Sequence, residues 1–392
     1  MKIINKATKK IVLGSFVGVL SMVNIASADV VFKGDAKITG YSVEQASGDN
    51  ASGFDQLFGI SADFTGSNGM KFKSRILLSD TKWEGDSHTN SSVGNGTAGN
   101  VSGPSSNASA DTGVLDYAYV QFPMYGWTVR AGRQQANSSL CLFTCDDRRD
   151  RILAMKTING YTVIGLYDKR VEGALNDSSD DLDGWAMVVV GKLGRFMSDL
   201  TIGGWISDTH GLDEALIISP HVKGEVAGVD LDLMYAYLGG GEGAFTDHHH
   251  SIAIRGSKQF GDIKLEGQYV ASIDGGLFAG GFDTYSSVLS NSPDHNQSAT
   301  LIKKFGGVAV GQKGKDETLL ATRVSGKVGN ISLAGAVGYW DYEGASGDGS
   351  DAFYDVKVGV EVLKDTTLSL TYGALVGDTD RAAAGITLKT SF

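Results

Sequence analysis

Apolar and polar residues take turns along most of this chain. In MKFKSRILLSD, Met70, Phe72, Ile76 and Leu78 fall on one side of the alternation, and Lys71, Lys73 and Arg75 on the other. In VDLDLMYAYL, Val229, Leu231, Leu233, Tyr235 and Tyr237 oppose Asp230 and Asp232. DIKLEGQYVAS and YDVKVGVEVL repeat the pattern, with Ile263, Leu265 and Tyr269 against Lys264, Glu266 and Gln268, and Val356 to Val362 against Asp355, Lys357 and Glu361. A period of two is that of a β-strand, whose successive side chains point to opposite faces. The stretches run about ten residues or more, longer than most strands of soluble domains. About ten residues is also what a tilted strand needs to cross a bilayer.

The connections alternate as well. Short ones are centred on Gly66-Ser67-Asn68-Gly69, Pro123-Met124-Tyr125-Gly126, Asn159-Gly160, Gly261-Asp262, Gly329-Asn330 and Lys364-Asp365. Those between them are longer and more polar, above all 84–113, rich in Ser, Gly and Asn, and 274–316. Short turns at one end and long loops at the other are the layout of a membrane β-barrel. In lipid every backbone polar group must be paired, so spanning strands must close on themselves. The pattern predicts an all-β, transmembrane antiparallel barrel of about 18 strands, with 16 as the alternative count if 151–158 and 379–384 are weak segments miscounted. Pro220 cannot donate to a ladder and is expected at a bulge or strand end.

Composition supports a strand-rich chain. Glycine is plentiful, 54 of 392 residues, and proline scarce, with four. The first 28 residues carry Lys2, Lys6, Lys9 and Lys10, an apolar stretch from Ile11 to Ile25 and the small-x-small triplet Ala26-Ser27-Ala28. This reads as a cleaved secretory signal, leaving a single domain over 29–392. No apolar run near 18 residues follows it, so no transmembrane helix is expected. Losing four lysines takes the formal charge from −11 to −15. A strongly acidic chain without a basic face argues against nucleic acid as a partner. The two cysteines, Cys141 and Cys145, suggest a local disulfide in an exported protein. A metal site there is the alternative.

The stretch DYAYVQFPMYGWTVRAGRQQ, Asp116 to Gln135, resembles the strand, short turn and strand of Gram-negative general porins, whose up-strand ends in GRQ before the third loop. The last strand, RAAAGITLKTSF, ends on Phe392, similar to the terminal aromatic of that family. The resemblance implies several things: an outer-membrane location in a Gram-negative bacterium, contact with membrane lipid and lipopolysaccharide, a homotrimer, and recognition of Phe392 by the barrel-assembly machinery. It also implies passive diffusion of small hydrophilic solutes and ions, through a pore narrowed by the third loop. That loop would be 136–151, ANSSLCLFTCDDRRDR, which lacks the family's PEFGG-type motif.

The candidate pore constriction is the run Asp146, Asp147, Arg148, Arg149, Asp150 and Arg151, three acids and three bases after a pinned bend. Opposed charges in a narrow watery lumen set a transverse field that screens solutes. Facing partners are expected from inward strand positions: Lys71, Lys73 and Arg75 on one face of a strand, Arg130 and Arg133, and Arg170 after Lys169. The same charges could instead pair along the wall as structural ion pairs. The cluster is balanced and does not decide ion selectivity, while the overall acidic charge leans toward cations.

Other features are weaker. His248-His249-His250 suits a solvated outer loop better than a metal tract. Residues 343–351, EGASGDGSD, offer oxygen ligands for a loop-bound Ca²⁺ without EF-hand spacing. No other cofactor is implied. Trp83, Trp127, Trp185, Trp205 and Trp340 are expected near strand ends as interfacial girdles. A substrate-specific channel on the same barrel would need a continuous binding track, which Lys71-Lys73-Arg75 could begin. A barrel hydrolase would need a histidine beside a nucleophile, and the seven histidines mostly fall in expected loops, so no enzyme is expected.

Overall fold

The computed structural model describes residues 29–45, 48, 50–66, 68–82, 114–142, 147–171, 182–206, 214–240, 248–275, 282–289, 310–311, 315–344 and 347–392. The expected signal segment and the 84–113 connection lie outside them. Strands follow one another along the chain. The first six are β1 (Asp29–Gln45), β2 (Ala51–Thr65), β3 (Lys71–Lys82), β4 (Val114–Met124), β5 (Trp127–Ala136) and β6 (Asp147–Ile158). The middle six are β7 (Tyr161–Val171), β8 (Leu182–Leu193), β9 (Phe196–Ile206), β10 (Glu214–Val226), β11 (Val229–Gly239) and β12 (His249–Phe260). The last six are β13 (Ile263–Ile273), β14 (Lys315–Val328), β15 (Ile331–Gly344), β16 (Gly349–Leu363), β17 (Thr366–Gly377) and β18 (Arg381–Ser391).

Every strand is antiparallel to its sequence neighbours, and β1 also pairs with β18, from Asp35↔Ser391 to Gln45↔Arg381. The 18-stranded sheet is therefore a closed barrel. The weak segment 151–158 belongs to β6, and 379–384 straddles the start of β18.

Turn chemistry explains the hairpins at one end. Tyr125-Gly126, Asn159-Gly160 and Ala227-Gly228 have positive φ at both residues, and Gly194, Gly261 and Gly329 at the first. These are the primed turns whose twist matches that of the flanking strands. Both the start of β1 and the end of β18 lie at this end.

Adjacent residues show the two faces of the wall. Leu319 is 1% exposed and Leu320 58%; Ala336 is 6% exposed and Val337 61%. Ile152, Leu370 and Val356 continue the exposed apolar outer surface, far more than a water-facing protein leaves uncovered. Part of the inward face of β11 to β18 is buried as well, because residues 282–289 of the β13–β14 connection turn into the barrel. Phe282, Tyr285, Val288 and Leu289 pack there with Ala253, Val270, Leu319, Ala336 and Phe353, and Leu142 of the β5–β6 connection joins the same cluster.

Two expectations are corrected. Pro220 stands inside β10, with one register held on both sides: Ile218↔Tyr237 and His221↔Met234 keep the same offset, and Ser219 and Pro220 are skipped on the β11 side. The missing N–H is absorbed by a gap in one ladder rather than by a bulge. Trp340 is not at an interface. It is 1% exposed, stacks on Tyr342 at 4.2 Å and donates its indole N–H to Glu317 at 3.2 Å, because its parity matches the inward Ala336. Trp185 is exposed on the outer face, as a girdle residue would be, and Lys156 lies over the Trp127 ring at 5.8 Å. Trp83 and the Trp205 side chain lie outside the described residues.

The seam carries its own fit. The Gly34 N–H donates to the Phe392 carbonyl at 2.6 Å, and the Gly34 carbonyl accepts the Phe392 N–H at 2.9 Å. A Cβ on Gly34 would run into the Phe392 ring, so the bare glycine seats the terminal aromatic. Gly34→Leu is expected to displace that ring at a cost of about 1–3 kcal/mol. A lower urea midpoint of the detergent-refolded barrel, with Gly34→Ala intermediate, would show it.

Candidate functional site

Cross-strand register sorts the predicted charges into rows. Lys71, Lys73 and Arg75 share the inward face of β3. Lys71 is level with Gln121 and Arg130, and Lys73 with Tyr119, Gly132, Arg151 and Asp168. Arg149, two positions before Arg151 on β6, is level with Gln134. Six basic residues thus climb the wall in two columns, Lys71, Lys73 and Arg75 on β3, and Arg130, Arg151 and Arg149 on β5 and β6. Gly132, the glycine of the GRQ motif, adopts φ +124, and a Cβ there would strike the Ala118 carbonyl. Only glycine lets β4 and β5 approach between the columns.

Acids neutralise the upper part of this ladder. Arg75 donates to Asp116 at 2.6 Å and to Asp35 at 2.7 Å. A Cβ on Gly59 would sit 2.8 Å from the Arg75 guanidinium and 2.9 Å from Asp35, so that glycine clears the path between them. Asp116, at a bulge opposite Arg75 and Ile76, also accepts from buried Arg148 at 2.5 Å. Arg151 makes a two-pronged contact with Asp168, at 2.6 and 2.7 Å, and Arg149 reaches the same carboxylate at 3.7 Å. Lys73 is 3.5 Å from Asp63. Lys71 and Arg130 have no carboxylate partner among the described residues; Arg130 donates to Gln121 at 2.7 Å and lies 5.7 Å from the Tyr119 ring centre.

The mixed-charge run is distributed differently from the expectation. β6 begins at Asp147, so the residues from 147 to 151 stand on a strand, and alternation separates them. Arg149 and Arg151 take the inward face. Asp150 faces the other way and pairs with Arg133 at 3.4 Å, in a row continued by Lys169 and Asp183 at 3.3 Å. Arg133 is therefore a wall residue of the opposite face from Arg130. Asp146 lies outside the described residues, as do the side chains of Asp147 and Arg170. Cys141 is disulfide-bonded and flanked by positive φ at Leu140 and at Cys141 itself; Cys145 lies outside the described residues. The histidine tract is only partly loop: exposed His248 precedes the strand, His249 and His250 open β12, His250 bonds Tyr235 and His248 bonds Tyr237, each at 2.7 Å, while His249 turns inward and is buried. In the suggested Ca²⁺ loop, Asp348 accepts the Gly344 N–H within its own turn, while Asp351, on β16, accepts the Thr379 N–H and hydroxyl from the β17–β18 connection.

The inward insert 282–289 was not predicted. Two arginines clamp it. Arg255 lies over Phe282, 4.3 Å from the ring centre, and donates to the Asp283 carbonyl at 2.5 Å. Arg323 lies 4.0 Å from the Tyr285 ring centre and donates to Asp283 and Glu266 at 2.8 and 2.7 Å. Burial is the largest influence on the Tyr285 phenol and raises it above its ordinary range, with Glu266 and Asp283 adding to the rise and Arg255 and Arg323 opposing it. On the far side Asp355 accepts from the Ser287 N–H at 2.6 Å and from its hydroxyl. Gly373 leaves the space, since a Cβ there would meet both Ser287 and Asp355. The signal in the sequence was the set of apolar residues Phe282, Tyr285, Val288 and Leu289, four in eight positions of the long connection.

The fold has known counterparts. The chain superposes on OccK3 (OpdO) of Pseudomonas aeruginosa with a TM-score of 0.60 at 15% identity, over 92% of this chain and 95% of that one. OccK2 (OpdF) of the same organism, in complex with glucuronate, gives 0.63 at 12% identity, over 93% and 98%. OpdK with vanillate gives 0.59 at 12%, over 92% and 98%. The fold is that of an outer-membrane porin. No family model and no curated protein matches the sequence. At these identities the likeness to the porins is one of fold, and the site rests on the residues of this chain.

Asp355→Ala would leave the Ser287 donors without an acceptor, at about 1–3 kcal/mol for a buried group. Limited proteolysis of the folded barrel is expected to cut within 282–289 in the variant while sparing the unmodified protein.

Proposed function

We propose that the protein is a passive channel in the outer membrane of a Gram-negative bacterium, admitting small hydrophilic solutes and ions. One observation carries the reading: a closed barrel whose outer face is exposed and apolar while charged residues line its inner wall. No covalent step is needed, since width and field do the selecting. With this reading go a cleaved signal over 1–28, contact with lipopolysaccharide, a homotrimer, assembly through the Phe392 strand, and no enzymatic activity. Stepwise conductance of the refolded protein in a planar bilayer tests it; folded, inserted protein without conductance would sink it.

A second reading, preference for small organic anions, is supported by the basic columns on β3, β5 and β6, where Lys71 and Arg130 lack carboxylate partners among the described residues. It is consistent with the glucuronate and vanillate bound to the fold neighbours. The overall acidic charge weighs less than this local wall, because a field is set by the charges nearest the path. A charge about 4 Å from an ion is worth about 1 kcal/mol even in bulk-like water. Lys71→Gln with Arg130→Gln should therefore lower the anion-to-cation permeability ratio by roughly fivefold or more, read as a shift of reversal potential under a salt gradient.

A further inference from the structure

The β5–β6 connection touches the wall at a point far from its own strands. Ser139, in the short 3-10 turn Ser139–Cys141, donates its hydroxyl to Oδ2 of Asp199 on β9 at 2.7 Å. The same oxygen meets Nδ1 of His221 on β10 at 2.7 Å, and the other ring nitrogen of His221 meets Asp232 on β11. Two strands lie between β6 and β9, and the three inter-strand spacings amount to about 14 Å along the wall. On its other side the connection plants Leu142, fully buried, in the apolar cluster of the insert. The connection is thus held at two points on different parts of the barrel.

His221 is the centre of the polar hold. Both its ring nitrogens face carboxylate oxygens, and only the doubly protonated ring donates to both. That cation lies between two acids on flanking strands, and Lys223, two residues on along β10, is level with Asp232. Without the ring, Asp199 and Asp232 would lose their shared donor, and Asp199 would lose the partner that aims its Oδ2 at Ser139. We propose that His221 is a positioning residue: through Asp199 it fixes Ser139 and so holds the third connection across the lumen, setting the constriction of the channel. The proposal rests on the channel reading above.

The test compares the folded protein with His221→Gln, His221→Lys and Ser139→Ala. Amide hydrogen exchange reads the hold directly at Cys141 and Leu142, whose N–H groups bond the Ser138 and Ser139 carbonyls. Gln supplies one donor and no charge, so exchange there should quicken by roughly tenfold, with flickering or enlarged single-channel steps. Lys restores a cation able to bridge both acids and should return both readouts toward the original, which a purely packing role of the ring would not produce. Ser139→Ala should quicken the same amides while leaving β9 to β11 protected. If His221→Gln fails to fold, by loss of its heat-modifiable gel band, Ser139→Ala carries the test. Unchanged exchange at Cys141 and Leu142 in Ser139→Ala, or in a folded His221→Gln, overturns the proposal, as does failure of Lys to rescue. If the unmodified protein folds but does not conduct, the channel reading fails, and exchange still decides whether the hold exists.

Discussion

The pairing of β1 with β18 is the constraint on which everything else depends. An open sheet leaves a row of unpaired N–H and C=O groups at each edge, and only closure removes both. Eleven cross-strand pairs make the seam, and Gly34 and Phe392 extend it with two further backbone bonds. Once the sheet is closed, the period-two alternation has a fixed meaning: one parity faces out and the other faces in. Every later feature, from the basic columns to the clamp on the insert, is a matter of which inward residues the register makes level.

The interior that results is lopsided. On the β11 to β18 side small and apolar inward residues, among them Ala236, Ala253, Leu319 and Ala336, alternate with Arg255, Glu266, Arg323 and Asp355, and residues 282–289 pack over them. On the β3 to β6 side it is charged and only partly neutralised. The insert sits on its wall through two arginine faces and one aspartate, so polar groups fix a segment whose contacts are otherwise apolar. The half-buried arginines Arg255 and Arg323 stay hydrogen-bonded to Glu266, Asp283 and Gln268, which is the condition under which charge is tolerated there. The third connection meets this insert through Leu142 and β9 through Ser139. Solute would then be confined to the half of the lumen lined by the basic columns.

Much of the barrel was legible because strand parity and turn chemistry are local. The alternation in MKFKSRILLSD already set Lys71, Lys73 and Arg75 on one face, and Asn159-Gly160 announced its own turn. Partners were not legible, because a partner depends on register. Asp116 meets Arg75 and Arg148 only through a bulge between β3 and β4, and Arg133 parts from Arg130 by a parity that the strand end concealed. The charged run ending in Arg151 looked like a loop until β6 was seen to begin at Asp147. Where both faces of the wall are apolar, as along 233–238 of β11 and 333–340 of β15, alternation no longer tells lumen from exterior, and Trp340 was misplaced for that reason. His221 gave no sign in the sequence at all, since Asp199 and Asp232 lie 22 and 11 residues away.

The central claim is that the conducting path follows the basic wall and not the wall beneath the insert. Single cysteines at Lys71 and Arg130, and at Ala321 and Ala336, would be treated with a charged, membrane-impermeant thiol reagent while current is recorded. Reaction at 71 and 130 with an immediate change in conductance, and protection at 321 and 336, is the result this account predicts. Ready modification at 321 and 336 with a comparable change in current would contradict it.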